Sequence, residues 1–126
     1  MTPIATDNAP AAIGAYSQAI THAGVVYCSG QIGLTPEGVW AGTDVRTQAE
    51  AALRNLDAIL SAAGSSRDRV IRATIFLASM DDFSVVNEAY AAFFGEHRPA
   101  RACVEASRLP KDALVEISCI AATSAD

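Results

Sequence analysis

From Thr43 to Ala63 apolar side chains return every three or four positions. Val45, Ala49, Ala52, Leu53, Leu56, Ile59, Leu60 and Ala63 form one stripe, while Arg46, Glu50, Arg54 and Asp57 lie mostly off it. That period predicts an amphipathic helix. Thr43 or Asp44 stands where a capping oxygen is wanted, and Gly64 where a helix commonly closes. A second helix is predicted from about Asp81 to Phe94, with Phe83, Val86, Tyr90 and Phe93/Phe94 as its stripe. Its start is acidic and Gly95 ends it. Asn87 interrupts the stripe and reads as a satisfied core or interface amide.

Elsewhere the period shortens to two. "GVVYCSGQI" reads as a strand of β-branched and aromatic residues stopped by Gly30, and "RVIRATIFLA" as a buried strand with Ile71, Ala73, Ile75 and Leu77 on one side. "ARACVEA" alternates: Ala102, Val104 and Ala106 point one way, Arg101, Cys103 and Glu105 the other. "ALVEISCIAA" supplies the last strand. The opening "APAAIGAYSQAI" carries a short β-compatible piece ending at Ile20, while "GLTPEGVWAG" and "RLPKD" are turn chemistry. Two strands, helix, strand, helix, two strands is an α+β order. A single sheet with two helices on one face would satisfy both apolar stripes in one domain over residues 1–126. The other sheet face is then left for a second copy to cover.

Composition strengthens that expectation. Hydrophobic residues make up 51% of 126 positions and charged residues 18%, and much of the apolar fraction is alanine, which buries little area. A small alanine-rich domain often completes its burial by oligomerising. The net charge of −5 and the lack of a basic stripe speak against nucleic acid as a partner. Cys28, Cys103 and Cys119 show no CxxC spacing, so neither a zinc site nor a disulfide framework is implied. No leader pattern opens the sequence and no run of about eighteen apolar residues occurs in it, so a reduced, cytoplasmic protein without a membrane span is expected.

Candidate chemistry centres on the face shared by Arg101 and Cys103. A mid-strand arginine is either solvated and paired with Glu105 or Glu116, or it is a fork whose two parallel N–H groups grip a carboxylate. Cys103 reads as a small buried hydrophobe. A nucleophilic thiol would want a base beside it, and the only histidines, His22 and His97, fall in expected loops. Glu116 and Ser118 share a face of the last strand and would hold a water if that strand lay beside Arg101. Tyr16 and the Cys28–Ile32 segment, with Ser29, Gly30 and Gln31, bring further polar groups to strand ends. Gly30 would permit close approach of backbone to a ligand.

The segments "APAAIGAYSQAI", "SGQIGL", "NLDAILSAAG" and "FLASMDDFSVVNEAYAAFFGEHRPARACVEASRLPKDALVEI" resemble the RidA/YjgF family of reactive intermediate deaminases, also called the L-PSP endoribonuclease family. The resemblance runs from about Ala9 to Ala121. It implies a chorismate-mutase-like α+β fold assembled as a homotrimer, with a cleft at each subunit interface. It implies hydrolysis of small 2-imino acids and their 2-enamine forms, such as 2-aminoacrylate/2-iminopropanoate and 2-iminobutanoate, to 2-keto acids and ammonia, with no metal or organic cofactor. Arg101 then stands at the family's carboxylate-binding arginine, Cys103 where backbone helps hold the substrate, and Tyr16, Ser29, Gly30 and Gln31 on the pocket wall.

Two departures accompany the resemblance. Many members read "VEIEAIA" near the end, the second glutamate being associated with the attacking water. Here "VEISCIA" retains Glu116 and places Ser118 at that second position, and a serine can hold a water without acting as a carboxylate base. The usual "GPY" is "GAY", with Ala15 before Tyr16. Two other functions fit the same pattern: a related aminoacrylate or enamine deaminase of one catabolic pathway, and a non-enzymatic trimeric module that binds 2-keto acids or acts like a chaperone.

Overall fold

The longest apolar stripe folds as its period dictates. In the computed structural model, which describes residues 1–123, helix α1 spans Val45–Ala62. Asp44 caps it, its Oδ2 accepting from the Thr47 amide at 3.0 Å, and Gly64 follows with φ +76°. Helix α2 covers Phe83–Phe94 and closes on Gly95 at φ +65°. Asp81 and Asp82 lie not in its first turn but in a preceding 3₁₀ turn, Met80–Asp82, where the Ser79 hydroxyl accepts from the Asp81 amide.

Six strands form one mixed sheet: β1 Thr2–Ile4, β2 Ala19–His22, β3 Val25–Gln31, β4 Val70–Leu77, β5 Ala100–Glu105 and β6 Val115–Ala122. Their order across the sheet is β1-β2-β3-β6-β4-β5, and all neighbours are antiparallel except β4 and β5. A parallel pair needs a crossover, and α2 is that crossover. The α+β fold expected from the element order is therefore present, with one strand more than the pattern predicted. Strand β1 has only three residues, one of them Pro3, too few for a period to register. His22 ends β2 instead of lying in a loop.

Both helices cover the same side of the sheet. Val26 and Cys28 on β3, Ala73, Ile75 and Leu77 on β4, and Val115, Ile117, Cys119 and Ala121 on β6 point toward Leu53, Leu56, Ile59 and Leu60 of α1 and Val86 and Phe94 of α2, all buried. The opposite side carries Tyr27 and Val104, each about half exposed at 48% and 46%, and among the described residues neither helix covers it.

Two bulges alter the strand readings. Val70 pairs with Ala121 but Arg72 with Ile120, so Ile71 is an extra residue. It turns outward at 50% exposure, and Val70 takes its expected place in the core. On β3, Cys28 pairs with Cys119 and Gln31 with Ile117, which leaves Ser29 and Gly30 together opposite Ser118. Gly30 therefore does not stop the strand; it marks the bulge.

Candidate active site

The β3 bulge borders a concavity. A cavity of about 730 Å³ is walled by the Pro10–Tyr16 loop, by Ser29, Gly30 and Gln31, by Ile32, Leu34 and the turn at Pro36–Gly38, by Pro110 and Lys111, and by Glu116. Five of the sequence-predicted residues meet here: Tyr16, Ser29, Gly30, Gln31 and Glu116. Ser29 donates from Oγ to the Ser17 carbonyl at 2.6 Å, and its amide donates to the Gln18 carbonyl at 2.9 Å, which fixes the loop carrying Tyr16 against β3.

Gly30 leaves room for its neighbour as Glu116 is placed here. A Cβ at this position would sit 2.3 Å from Glu116 Oε2, so the carboxylate lies directly over the glycine backbone. Partial burial pushes the Glu116 carboxyl above its ordinary value near 4.5. A carboxylate whose basicity is raised, set in a largely apolar hollow, is suited to polarise or deprotonate a water. Ser118 lies on the same face of β6 but does not wall the cavity. Of the two positions named from the sequence, Glu116, one alternation before Ser118, is the one that walls the cavity.

Arg101 and Cys103 lie elsewhere. Strand β4 separates β5 from β6, so the last strand does not run beside Arg101 as the water-holding arrangement required. Arg101 pairs with neither Glu105 nor Glu116: Glu105 accepts from the Met80 amide at 2.9 Å, and Glu116 faces the other side of the sheet. The exposed guanidinium instead donates from Nη1 to Asn87 Oδ1 at 2.7 Å and rests 4.9 Å from the Tyr90 ring centroid and 5.5 Å from that of Phe83. Asn87, which broke the apolar stripe of α2, thus orients the arginine. Among the described residues Arg101 forms no ion pair, so the rest of its fork is available to an anion. Cys103 is half-buried against the core, and burial raises its thiol pKa while the nearby guanidinium opposes the shift. A thiol held protonated is a poor nucleophile.

Three buried amides give the cavity its shape, and none was singled out from sequence. Gln18 accepts from the Thr6 amide at 2.7 Å and donates to the Pro10 carbonyl at 2.8 Å, tying down the chain that leads into the first wall. Asn55 donates to the carbonyls of Ile32 at 3.2 Å and Leu34 at 2.9 Å. Gln48 donates to the Gly42 carbonyl at 3.2 Å and accepts from the Leu114 amide at 3.0 Å, joining the chain that follows the Pro36–Gly38 turn to the start of β6. Gln48 and Asn55 sit on the buried face of α1, where polar residues at core positions were the available signal, while Gln18 immediately precedes β2. Among the described residues no group of three or more His, Cys, Asp or Glu gathers as metal ligands would, and no helix is long and apolar enough to cross a membrane.

The fold and this cavity define an α+β protein whose carboxylate-bearing cleft opens on the side of the sheet that its own helices leave bare. The family model described as Endoribonuclease L-PSP matches residues 6–123, and the chain belongs to that family, the RidA/YjgF family its motifs resemble. It is 46% identical over 121 residues to the 2-iminobutanoate/2-iminopropanoate deaminase of Salmonella typhimurium, across 94% of each chain. A RutC family protein of Pyrococcus horikoshii is 49% identical over 119 residues, again across 94% of each. The crystal structure of Escherichia coli TdcF with bound serine superposes with a TM-score of 0.94 at 42% identity, covering 98% of this chain and 100% of that one.

Proposed function

We propose that this protein hydrolyses small 2-imino acids, reached also from their 2-enamine tautomers, to 2-keto acids and ammonia. It would do so as a homotrimer, in clefts where Arg101 of one copy faces the Glu116 cavity of another. The observation that carries the reading is the separation of its parts. A fork for a carboxylate and a basic carboxylate near a small cavity are both present, yet on opposite sides of one sheet. A second copy laid on the bare face brings them together and covers Tyr27 and Val104. Two of the matched relatives, a named imine deaminase and a serine-bound structure, support a ligand with an amino-acid skeleton.

The chemistry then follows from positions. Arg101 holds the substrate carboxylate, which fixes the adjacent C2 against the bulge at Ser29 and Gly30. Glu116 accepts a hydrogen bond from a water and takes its proton as the oxygen attacks C2, giving a tetrahedral carbinolamine. Glu116 returns that proton to nitrogen and accepts the hydroxyl proton as the C–N bond breaks, so ammonia leaves and the carbonyl forms. An iminium beside a carboxylate is already electrophilic, so orientation and one placed water account for most of what is needed. No cofactor enters any step. Nucleic acid is not a partner in this reading, since the net charge is −5 and the cavity presents a single cation.

The test is turnover. An amino-acid oxidase generates the imine in situ and semicarbazide traps what remains. The protein should lower semicarbazone yield in proportion to its concentration. An unchanged yield with 2-iminopropanoate and 2-iminobutanoate sinks the reading and leaves a binding module.

A further inference from the structure

Lys111 is the only lysine in the chain, and it stands on the wall of the cavity that holds Glu116. Its backbone φ is +56° and that of the following Asp112 is +57°. Two successive non-glycine residues in the left-handed region are costly and persist only where their surroundings hold them. Here they are held. The Asp112 amide donates to the Leu109 carbonyl at 3.0 Å and the Ala113 amide to the Pro110 carbonyl at 3.1 Å. Arg108 pairs with Asp112 at 3.0 Å, Leu114 is tied to Gln48, and the Leu109 and Ala113 side chains are buried. A turn so anchored sets the base of the Lys111 side chain in one place on the cavity rim.

The charge pattern around it gives that placement a purpose. Among the residues walling the cavity, Glu37 and Glu116 are negative and Lys111 is the one cation. Among the described residues it forms no ion pair. A carboxylate substrate approaching a chain of net charge −5 and a cavity with two carboxylates is repelled before any contact forms. Arg101 cannot relieve this within one chain, because it sits on the other side of the sheet.

We propose that Lys111 is the gateway cation of this site: its ammonium draws the substrate carboxylate past Glu37 and Glu116, setting how efficiently anionic substrates are captured and not how fast they hydrolyse. The proposal rests on the reading that the site takes 2-imino acids. A compact charge on a flexible four-carbon stem suits attraction without a fixed binding geometry. Attraction of this kind is screened by salt, which separates it from a packing role.

Lys111→Met and Lys111→Arg both retain a Cβ and the turn. At low salt, about 0.02 M, Lys111→Met should lower kcat/KM about fivefold with kcat within about twofold of wild type, and the deficit should vanish near about 0.5 M. Lys111→Arg should behave as wild type. Titration of pyruvate, followed by calorimetry, should show the same salt-dependent loss of affinity without requiring turnover. Should Lys111→Met fold poorly, the wild-type protein serves directly. Acetylation removes the charge of its one lysine while reductive methylation keeps it, and because acetylation also neutralises the α-amino group, protein acetylated at the α-amino group alone serves as the reference. Wild-type kcat/KM and salt slope in the neutralised protein overturn the proposal and leave the deaminase reading intact. A fall in kcat at unchanged KM also overturns it. If wild type turns over no imine, the deaminase reading fails, and the pyruvate titration still decides Lys111. Equal affinity with and without its charge, or no binding at all, counts against it.

Discussion

Arg101 and Glu116 face opposite sides of one sheet, two strands apart. Arg101 is in register with Ala73 of β4 and Glu116 with Phe76 of the same strand, and residues three apart on a strand point opposite ways. No rotamer brings a guanidinium on the helix side to a carboxylate on the bare side. If both serve one reaction, they come from different copies. Arg101→Ala and Glu116→Gln should then each be inactive alone, and co-expression should restore turnover. Random assembly of two such variants in a three-fold ring leaves one intact cleft in each mixed trimer, or about a quarter of wild-type activity. Purified mixed assemblies with no recovered turnover would place both groups in the same cleft of one chain, or one of them outside the reaction.

The carboxylate position gives a second test. Glu116 lies over Gly30 in the cavity, and Ser118 lies outside it. Ser118→Ala should therefore stay within about threefold of wild type, and Ser118→Glu should bring no gain. Glu116→Gln, isosteric but unable to take a proton, should lose about a hundredfold in kcat. Steady-state kinetics on 2-iminobutanoate would distinguish the two positions. A large loss at Ser118 would restore the assignment made from the sequence motif.

Much of this architecture was legible because it is periodic. The stripes of α1 and α2 and the alternation of β5 and β6 each repeat often enough to fix both element and face. What sequence missed breaks a period or has none. Ile71 was assigned to the core because alternation predicted it, and a one-residue bulge reversed it. Gly30 read as a stop because a bulge and a strand end carry the same glycine. Arg101 and Glu116 were recognisable individually, but their separation depends on strand order, with β4 inserted between β6 and β5, which no local pattern encodes. The buried amides of Gln48 and Asn55 carried the weakest signal, a polar residue on an apolar stripe, and only their backbone partners show what they do.

Glu116 also sets a pH dependence. Its pKa in the folded chain is raised by burial above the ordinary value near 4.5, so the folded state holds this proton more tightly than the unfolded chain. The cost to stability is absent below the ordinary value, where both states are protonated. It grows as pH rises through that value toward the folded one, and is complete above it. Glu116→Gln should consequently raise the melting temperature at neutral pH relative to wild type and leave it unchanged in acid near pH 4. Activity should fall on acidification with an apparent pKa above 4.5. A melting-temperature difference that is the same at both pH values would mean the carboxylate carries no burial cost.

The thiols separate by environment. Cys28 and Cys119 face each other across β3 and β6, both buried, whereas Cys103 is half-buried at the sheet edge. Its thiol is held above its ordinary pKa mainly by burial. Cys103→Ser should keep most of the activity, within about threefold, because the serine preserves the strand and a thiolate is not needed. Under native conditions Cys103 should alkylate slowly and the other two not at all, as peptide mass analysis would show. Complete loss of turnover in a folded Cys103→Ser variant would assign the sulfur a chemical role.

The cavity wall provides the last test, through Asn55. This residue is 3% exposed, and its amide donates to the carbonyls of Ile32 and Leu34, which would otherwise be left without those donors. Asn55→Leu keeps the helix and roughly the volume but removes both donors, and an unsatisfied buried carbonyl costs about 1–3 kcal/mol. The expected result is a melting temperature lower by several degrees, on the order of 4 °C for each kcal/mol in a domain of this size. Because the segment it pins carries Ile32 and Leu34 into the cavity, KM should rise severalfold while kcat changes little. The chemistry is carried by groups that Asn55 does not touch. Asn55→Asp offers a complementary measurement: its carboxylate cannot donate to either carbonyl and brings a charge into the core, so it should destabilise more than leucine does. A protein that loses stability in both variants yet keeps its KM would show that the wall is held from elsewhere. Gln48, which grips the neighbouring segment at Gly42, would then be the residue to replace.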